Sequence, residues 1–347
     1  MAATFTCSLV RSLPGAPDGW HAVSYAPLAD GSLGCLQSTA DINAVIERNR
    51  GRRDTGLPFE PFLSPGDRGR LVSGDRPDDA AEFPLEYPVP RFDRLSDGGW
   101  VLVQTRCNDG DLNAFFLSRR GDVRLRFAVG DGVEQAQADD VGGVWVSHFD
   151  EGVSGGHLGS AGLAHFDASG VETWRANTDD LPALPAIDDC YALNAFGSEA
   201  WAYYYSDFPI LRVPRDGVVR LWSNGVLGAN AIAVKDNNVV LFGGWTARAP
   251  SRIALLNLRD GSAVPVGQLT LSDHDRRDDF AVGRGDTIHV VGRGSWRRFS
   301  VEEIVTAVAA AGDAAAPEPD PLDHVGPEVQ FAFKTGSATA PSDEDAG

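Results

Sequence analysis

Six polar residues occupy matching positions in a repeated pattern, and four of them are typical ligands of hard cations. Each one opens the first predicted strand of a repeat: His21, Arg91, Glu134, Asp189, Asn230 and Asp279. Carboxylate and amide oxygens suit Ca²⁺, Mg²⁺ or Mn²⁺ rather than a metal that prefers thiolate. If the last four residues converge, we expect them to hold one divalent cation. The alternative is a solvated ring of polar side chains without a metal.

The same residues suggest a reaction. A bound cation would polarise the carbonyl of a small ester or lactone, and Asp189 or Asp279 would deprotonate the attacking water. Arg91 or His21 would receive the developing oxyanion or a substrate carboxylate. The prediction is therefore a metal-dependent hydrolase of the lactonase or esterase kind. The alternative is a non-catalytic protein that binds a metabolite or a protein partner at the same place.

Predicted loops near these residues add candidate substrate contacts. One loop contains Asp150, Glu151 and His157 among glycines, and these side chains are able to supply an acid or a base. Tyr205 and Trp245 lie in the corresponding loops of the next two repeats, where aromatic rings suit an organic ligand. The alternative for the first loop is a solvated acidic segment.

The element that must position these residues is a unit of four short strands. Residues 187–222 are the clearest example, with alternating or aromatic runs separated by turn residues. The unit recurs about every 40–50 residues, a pattern typical of propellers. We expect an all-β, six-bladed β-propeller. Five or seven blades remain alternatives because the first unit is irregular.

The two ends of the chain predict how the ring closes. The sixth repeat has three strands, and residues 4–12 form a spare strand that would complete it. Closure of this kind removes two exposed sheet edges. We therefore assign residues 1–303 to the propeller, with an insertion at 39–58 that contains a short helix opened by Asp41 or Thr39.

The C-terminal region has a different composition. Ser300 and Glu303 form a capping box for a short helix over 304–311. Residues 312–347 are rich in Pro, Ala and acidic residues, so we expect a disordered tail. An apolar island at 326–336 either docks on the ring or a partner, or has no structure.

Composition and missing motifs exclude several classes of function. The net charge of −19 argues against nucleic acid and against anionic membrane surfaces. The N-terminus lacks a signal-peptide pattern, and no apolar run reaches the length of a membrane span. We expect a cytoplasmic monomer. There is no P-loop, GxGxxG, GxSxG or HExxH motif.

Two stretches carry a resemblance to known proteins. At FDEGV (149–153) and at DCYALN…WAYYY…FPILRV (189–213) the chain resembles uncharacterised bacterial β-propeller proteins. In architecture it is also similar to SMP-30/gluconolactonase and strictosidine-synthase-like six-bladed propellers. The SMP-30 resemblance implies a divalent cation held by Glu, Asn and Asp side chains at the channel mouth, and lactone hydrolysis. The matching positions are Glu134, Asn230 and Asp279, whereas His21 and Arg91 depart from that pattern.

Overall fold

Six sheets of four or five strands, with neighbouring strands antiparallel except in one pairing, form the computed structural model of the chain, a six-bladed β-propeller as predicted. The structure describes residues 3–317 and 329–332, apart from 8, 56–59, 75, 179–180, 182–183, 216–217, 245–250, 273, 275–278 and 293. Among the described residues no helix is long and apolar enough to cross a membrane.

The first two blades follow a pair of N-terminal strands. The N-terminal strands are β1 (Ala3–Phe5) and β2 (Leu9–Ser12). Blade 1 comprises β3 (His21–Pro27), β4 (Leu33–Ser38), β5 (Arg68–Ser73) and β6 (Arg76–Pro84). Blade 2 comprises β7 (Arg91–Arg94), β8 (Trp100–Val103), β9 (Ala114–Leu117) and β10 (Val123–Phe127). In each blade the first strand is innermost and its neighbours follow in chain order.

Blades 3 and 4 repeat this order. Blade 3 comprises β11 (Val133–Ala138), β12 (Val144–His148), β13 (Leu163–Phe166) and β14 (Glu172–Arg175). Blade 4 comprises β15 (Asp189–Phe196), β16 (Glu199–Tyr205), β17 (Ile210–Pro214) and β18 (Val218–Trp222). The strands of blade 4 correspond to residues 187–222, the clearest example of the repeat in the sequence.

Blades 5 and 6 lead into the C-terminal helix. Blade 5 comprises β19 (Ala231–Lys235), β20 (Asn238–Phe242), β21 (Arg252–Arg259) and β22 (Ser262–Leu271). Blade 6 has three strands from this part of the chain: β23 (Phe280–Arg284), β24 (Thr287–Gly292) and β25 (Ser295–Ser300).

Within the described part of the chain three α-helices lie against the ring: α1 (Ile42–Thr55), α2 (Asp150–Ser154) and α3 (Val301–Ala311). The Asp41 carboxylate accepts the Ala44 N–H at 3.1 Å, as expected for the cap of α1. The capping box of Ser300 and Glu303 is present, although α3 begins three residues earlier than predicted. Gly267 lies beneath α3, where a Cβ would come within 2.3 Å of Val308, so the helix packs directly on blade 5.

The N-terminal segment closes the ring, but it is not the single strand that was predicted. Strand β2 pairs antiparallel with β25 and supplies the fourth strand of blade 6. Strand β1 instead pairs in parallel with β22 on blade 5. The side chains of Phe5 and Cys7 pack against the apolar cluster shared by these two blades. The segment therefore fastens two neighbouring blades rather than one.

Part of the predicted disordered tail has structure. Residues Gly312–Ala315 form a 3-10 turn, and Ala315 is buried. The apolar island contributes β26 (Val329–Ala332), which pairs antiparallel with β18 as a fifth strand of blade 4. Residues 312–315 are thus ordered where a disordered tail was expected, and β26 corresponds to the alternative in which the island docks on the ring. Residues 318–328 and 333–347 lie outside the described part.

The centre of the ring contains a buried polar network that the sequence did not reveal. Arg284 of blade 6 forms an ion pair with Asp93 of blade 2 at 2.9 Å, and the side chains are 3% and 2% exposed. Arg284 also donates to the Gln137 side-chain oxygen of blade 3 at 2.8 Å. The Asp93 carboxylate accepts the Ala138 N–H. Burial raises the pKa of Asp93, while the Arg284 guanidinium acts in the opposite direction.

The network extends into blades 4 and 5 through close backbone contacts. Asn194 donates to the carbonyl oxygens of Ile232 and Gly285 at 3.0 and 2.8 Å. A Cβ on Gly283 would lie 1.7 Å from the Ile232 carbonyl oxygen, so only glycine allows blade 6 to approach blade 5 this closely. Five blades are thus joined at one level of the channel.

Deleting residues 1–14 tests the closure of the ring. Loss of β1 and β2 exposes the edges of β22 and β25, so we expect aggregated or strongly destabilised protein by light scattering and thermal unfolding. Deletion of 333–347 is the control and should leave both measurements unchanged. A 1–14 deletion that stays monomeric with its original melting temperature would contradict this closure.

A double-mutant cycle tests the central ion pair. Arg284→Met leaves the Asp93 carboxylate buried without its partner, so urea unfolding should show a loss of about 3–5 kcal/mol. Asp93→Leu combined with Arg284→Met removes both charges and should cost less than the sum of the two single changes. Additive costs would show that the two side chains do not depend on each other.

Candidate ligand site at the channel mouth

A cavity of about 240 Å³ lies where the innermost strands begin. Residues from all six blades line it, including the predicted Arg91, Glu134 and Asn230. Asp93 and Gln137 of the central network also line it and form its floor. The next residues along those strands, Arg94 and Ala138, line a separate cavity of about 570 Å³ on the other side. The network therefore divides the channel into two compartments.

Irregular strand pairing decides which side chains reach this cavity. Val133 pairs with His148 and Gln135 pairs with Ser147, so Glu134 is the extra residue of a β-bulge in β11. In β15 the equivalent extra residue is Tyr191, because Cys190 pairs with Tyr204 and Ala192 with Tyr203. A bulge re-aims the side chain of its extra residue. The structural counterpart of Glu134 is thus Tyr191, two residues beyond the predicted Asp189.

Three of the predicted polar residues have no other role within the protein. The Arg91 guanidinium and the Glu134 carboxylate are 3.9 Å apart, and their side chains are 47% and 38% exposed. Among the described residues the side chains of Arg91, Glu134 and Asn230 form no hydrogen bond. Burial raises the pKa of Glu134, and Arg91 partly offsets that effect. Polar groups with these properties are available to a ligand.

Asp189 lies close to this group and carries an uncompensated charge. Burial, together with the carboxylates of Asp150 and Glu134, raises its pKa to about 6. Asp150 opens α2, and its carboxylate accepts the Glu151 N–H at 2.7 Å. Within the described part of the chain neither Asp189 nor Asp150 has a Lys or Arg partner.

Other predicted site residues are engaged elsewhere. Arg297 donates to the Asp279 carboxylate at 2.5 Å, and the Asp279 side chain is fully buried. His21 lies 3.7 Å from Asp41 beside α1. Glu151 accepts a hydrogen bond from Arg106, which also pairs with Asp131.

The four predicted ligands therefore do not form one set. Within the residues that the structure describes, no three His, Cys, Asp or Glu side chains are grouped so as to hold a metal ion. Glu134 and Asp189 lie near each other, but the Asp279 carboxylate is committed to Arg297. Sequence position alone does not reveal the pairing of Asp279 with Arg297, because Arg297 comes from another strand of the same blade.

The predicted loop residues have different outcomes. Tyr205 is 39% exposed and pairs across the sheet with Asp189. His157 begins a 3-10 turn, His157–Ala161, but its side chain lies outside the described residues. Trp245 lies outside them altogether. The role of each as a substrate contact stays a prediction.

Two aromatic residues at the cavity were missed by the sequence argument. Tyr191 and Phe280 line it, and the Phe280 side chain is 43% exposed. Phe208 packs its ring against Tyr191 at 5.7 Å between centroids and against Tyr203 and Tyr205 at 5.6 Å. The position of Tyr191 therefore depends on an aromatic cluster beneath the loop that joins β16 and β17.

This loop is strained. Asp207 and Phe208 have φ angles of 57° and 52°, in the left-handed region that non-glycine residues seldom adopt. Such strain persists only where surrounding packing enforces it, and it is common at functional sites. The run of aromatic residues in β16 was the available sequence signal for this side of the cavity.

Comparisons with known proteins give one partial family match and several distant structural similarities. The YxzG family model matches residues 175–247, a region that includes β15 to β20 and the residues Asp189, Tyr191 and Asn230. No curated protein matches the chain. The chain is similar to virginiamycin B lyase from Staphylococcus aureus at 13% identity, covering 82% of this chain and 81% of that one, with a TM-score of 0.49.

Two further solved structures show a similar degree of likeness. Citrobacter koseri AztD is 11% identical over 77% of this chain and 69% of its own, with a TM-score of 0.40. Kluyveromyces lactis Hsv2 is 12% identical over 81% and 73%, with a TM-score of 0.44. Similarity at this level carries no function to the chain. The resemblance to SMP-30-like propellers stays a prediction.

Replacing Asp189 tests the electrostatics of the site. The folded-state pKa of about 6 lies above the ordinary aspartate pKa of 3.8, so the ionised carboxylate destabilises the folded state at pH above 6. Asp189→Asn should therefore raise the melting temperature at pH 7.5, and the gain should vanish near pH 4. Asp260→Asn, at an exposed turn of blade 5, controls for the loss of one acidic residue. An equal gain from Asp189→Asn at both pH values would contradict the assignment.

Proposed function

We propose that this propeller binds a small organic ligand in the mouth of its central channel. The observation that carries the proposal is the cavity itself, where Arg91, Glu134 and Asn230 form no hydrogen bond among the described residues. Buried or half-buried polar groups without internal partners are typical of ligand sites. Elsewhere in the channel comparable groups, such as Asp93 and Arg284, are engaged with each other.

The cavity combines these polar groups with aromatic surface. Tyr191 and Phe280 supply apolar contact area, and the fixed position of Tyr191 lowers the cost of ordering it on binding. The floor is closed by Asp93 and Gln137, so a ligand enters and leaves at one side. A preformed, one-sided pocket of this volume suits a metabolite rather than a polymer.

Cation-dependent hydrolysis of an ester or lactone is the second candidate. It is favoured by the raised pKa of Asp189, which results first from burial and then from the nearby carboxylates of Asp150 and Glu134. The fit to a cation is incomplete because the Asp279 carboxylate is bound by Arg297. Ligand binding is therefore favoured over cation-dependent hydrolysis.

Thermal unfolding with a metabolite panel tests the first proposal. A ligand present at 100 times its dissociation constant adds about 2.7 kcal/mol of stability, which a shift in melting temperature reveals. Asn230→Trp fills the cavity without removing a core side chain and should abolish the shift. Leu112→Trp places the same ring on an exposed loop of the same face and should preserve it. A shift that survives Asn230→Trp would place the ligand elsewhere.

The same measurement separates the two candidates. If a cation binds, EDTA should lower the melting temperature and Ca²⁺ or Mn²⁺ should restore it. Asp189→Ala should then destabilise the cation-loaded protein and stabilise the chelated one, because it removes a ligand in the first case and a repulsive charge in the second. No response to chelator would remove the second candidate and leave the binding function.

A further inference from the structure

Arg91 and Glu134 form an unusual pair at the cavity wall. The closest atoms, Nη2 and Oε1, are 3.9 Å apart, which is too far for a hydrogen bond. Other ion pairs of this protein are closer, as in Arg297–Asp279 at 2.5 Å and Arg94–Asp79 at 2.8 Å. The two groups are thus near enough to interact electrostatically, but each can still form hydrogen bonds with a ligand.

This spacing selects against ligands with one charge. A carboxylate that binds Arg91 comes within a few ångströms of the Glu134 carboxylate, and the two repel each other. An ammonium group that binds Glu134 meets the same difficulty with the Arg91 guanidinium. A neutral ligand leaves both charged groups partly desolvated without new partners.

A ligand with both charges avoids these costs. Its carboxylate binds Arg91 while its ammonium group binds Glu134, so the two dipoles lie antiparallel. The Asp189 and Glu134 carboxylates lie near enough to interact, so Asp189 adds negative potential on the side of the ammonium group. Arg91 supplies the planar donor pair that matches a carboxylate.

The remaining wall defines the rest of the ligand. Tyr191 and the half-exposed Phe280 provide apolar contacts in the same cavity. The volume of about 240 Å³ accommodates one small molecule. The ligand should therefore have an apolar body attached to its zwitterionic head.

We propose that the channel mouth binds a zwitterion with an apolar side chain, of the class of free α-amino acids. This inference rests on the proposed binding function, because it specifies the chemistry of the same cavity. Arg91 binds the carboxylate, Glu134 binds the ammonium group, and the aromatic wall contacts the side chain.

Calorimetric titration of the intact chain tests the proposal. The first probes are the twenty standard L-amino acids, among which those with apolar side chains should bind most tightly. The second set is L-phenylalanine, phenethylamine and 3-phenylpropionate, which share one ring and differ in their charges. Each truncated compound should bind at least tenfold more weakly than L-phenylalanine, because it loses one charged partner.

Two charge variants should each weaken binding of the zwitterion but affect the two singly charged compounds in opposite ways. Arg91→Gln should weaken L-phenylalanine at least tenfold but leave phenethylamine unchanged or tighter, since the repelling guanidinium is gone. Glu134→Gln should weaken L-phenylalanine likewise, and should leave 3-phenylpropionate unchanged or tighter. Arg120→Gln, at an exposed turn of the same blade on the opposite face, is the matched control and should change none of them.

The outcomes distinguish this inference from the function on which it rests. If neutral, acidic or basic compounds bind at the mouth but no amino acid does, the zwitterion assignment is overturned and the binding function stands. If the two truncated compounds bind as tightly as L-phenylalanine, the assignment is overturned as well. If no compound of any class binds, both proposals fail.

Discussion

The ion pair between Asp93 and Arg284 is the constraint on which the centre of this propeller depends. Two charges buried at 2.9 Å separation need further hydrogen bonds to offset the cost of leaving water. Gln137 accepts one from Arg284, and the Ala138 N–H donates one to Asp93. The pair joins blades that are distant in sequence, since 191 positions separate Asp93 from Arg284. Correct closure of the ring is therefore a condition for burying either charge, and the network favours one arrangement of the blades over others.

The polar residues of the channel fall into two groups. Asp93, Gln137 and Arg284 of the central network contact one another, whereas Arg91, Glu134 and Asn230 at the mouth form no hydrogen bond among the described residues. The first group makes the floor rigid, and the second gives the cavity above it chemical selectivity. A site with a fixed floor and uncommitted polar walls is preorganised, so little of the binding free energy is lost in ordering it.

Much of the fold follows from local sequence patterns. Alternating runs and turn residues define the blades, and the missing strand of the sixth repeat predicts closure by the N-terminus. The division of that segment into β1 and β2 was not predictable, because pairing with β22 or β25 is decided by contacts between Phe5, Cys7 and the cluster of blades 5 and 6. The apolar residues of β26 stood out from the acidic tail, but its pairing with β18 was not predictable because four residues carry little signal about their partner strand.

The candidate site was predictable only in part. Counting from strand starts brings Arg91, Glu134 and Asn230 together correctly, since they line one cavity. The bulges in β11 and β15 break that count, so Tyr191 faces the cavity where the alignment had placed Asp189. Asp279 was predicted as a cation ligand, but its carboxylate accepts a hydrogen bond from Arg297 instead. Arg297 lies on β25, and the contact forms only when the strands of blade 6 have assembled.

A crystal structure after soaking tests the central claim most directly. The crystals would be exposed to a mixture of four aromatic fragments: one neutral, one acidic, one basic and one zwitterionic. The account predicts electron density for the zwitterion between Arg91 and Glu134, above an Asp93–Arg284 pair still 2.9 Å apart. Density only at the opposite mouth or between blades would contradict it, as would a ligand that displaces Arg284 from Asp93.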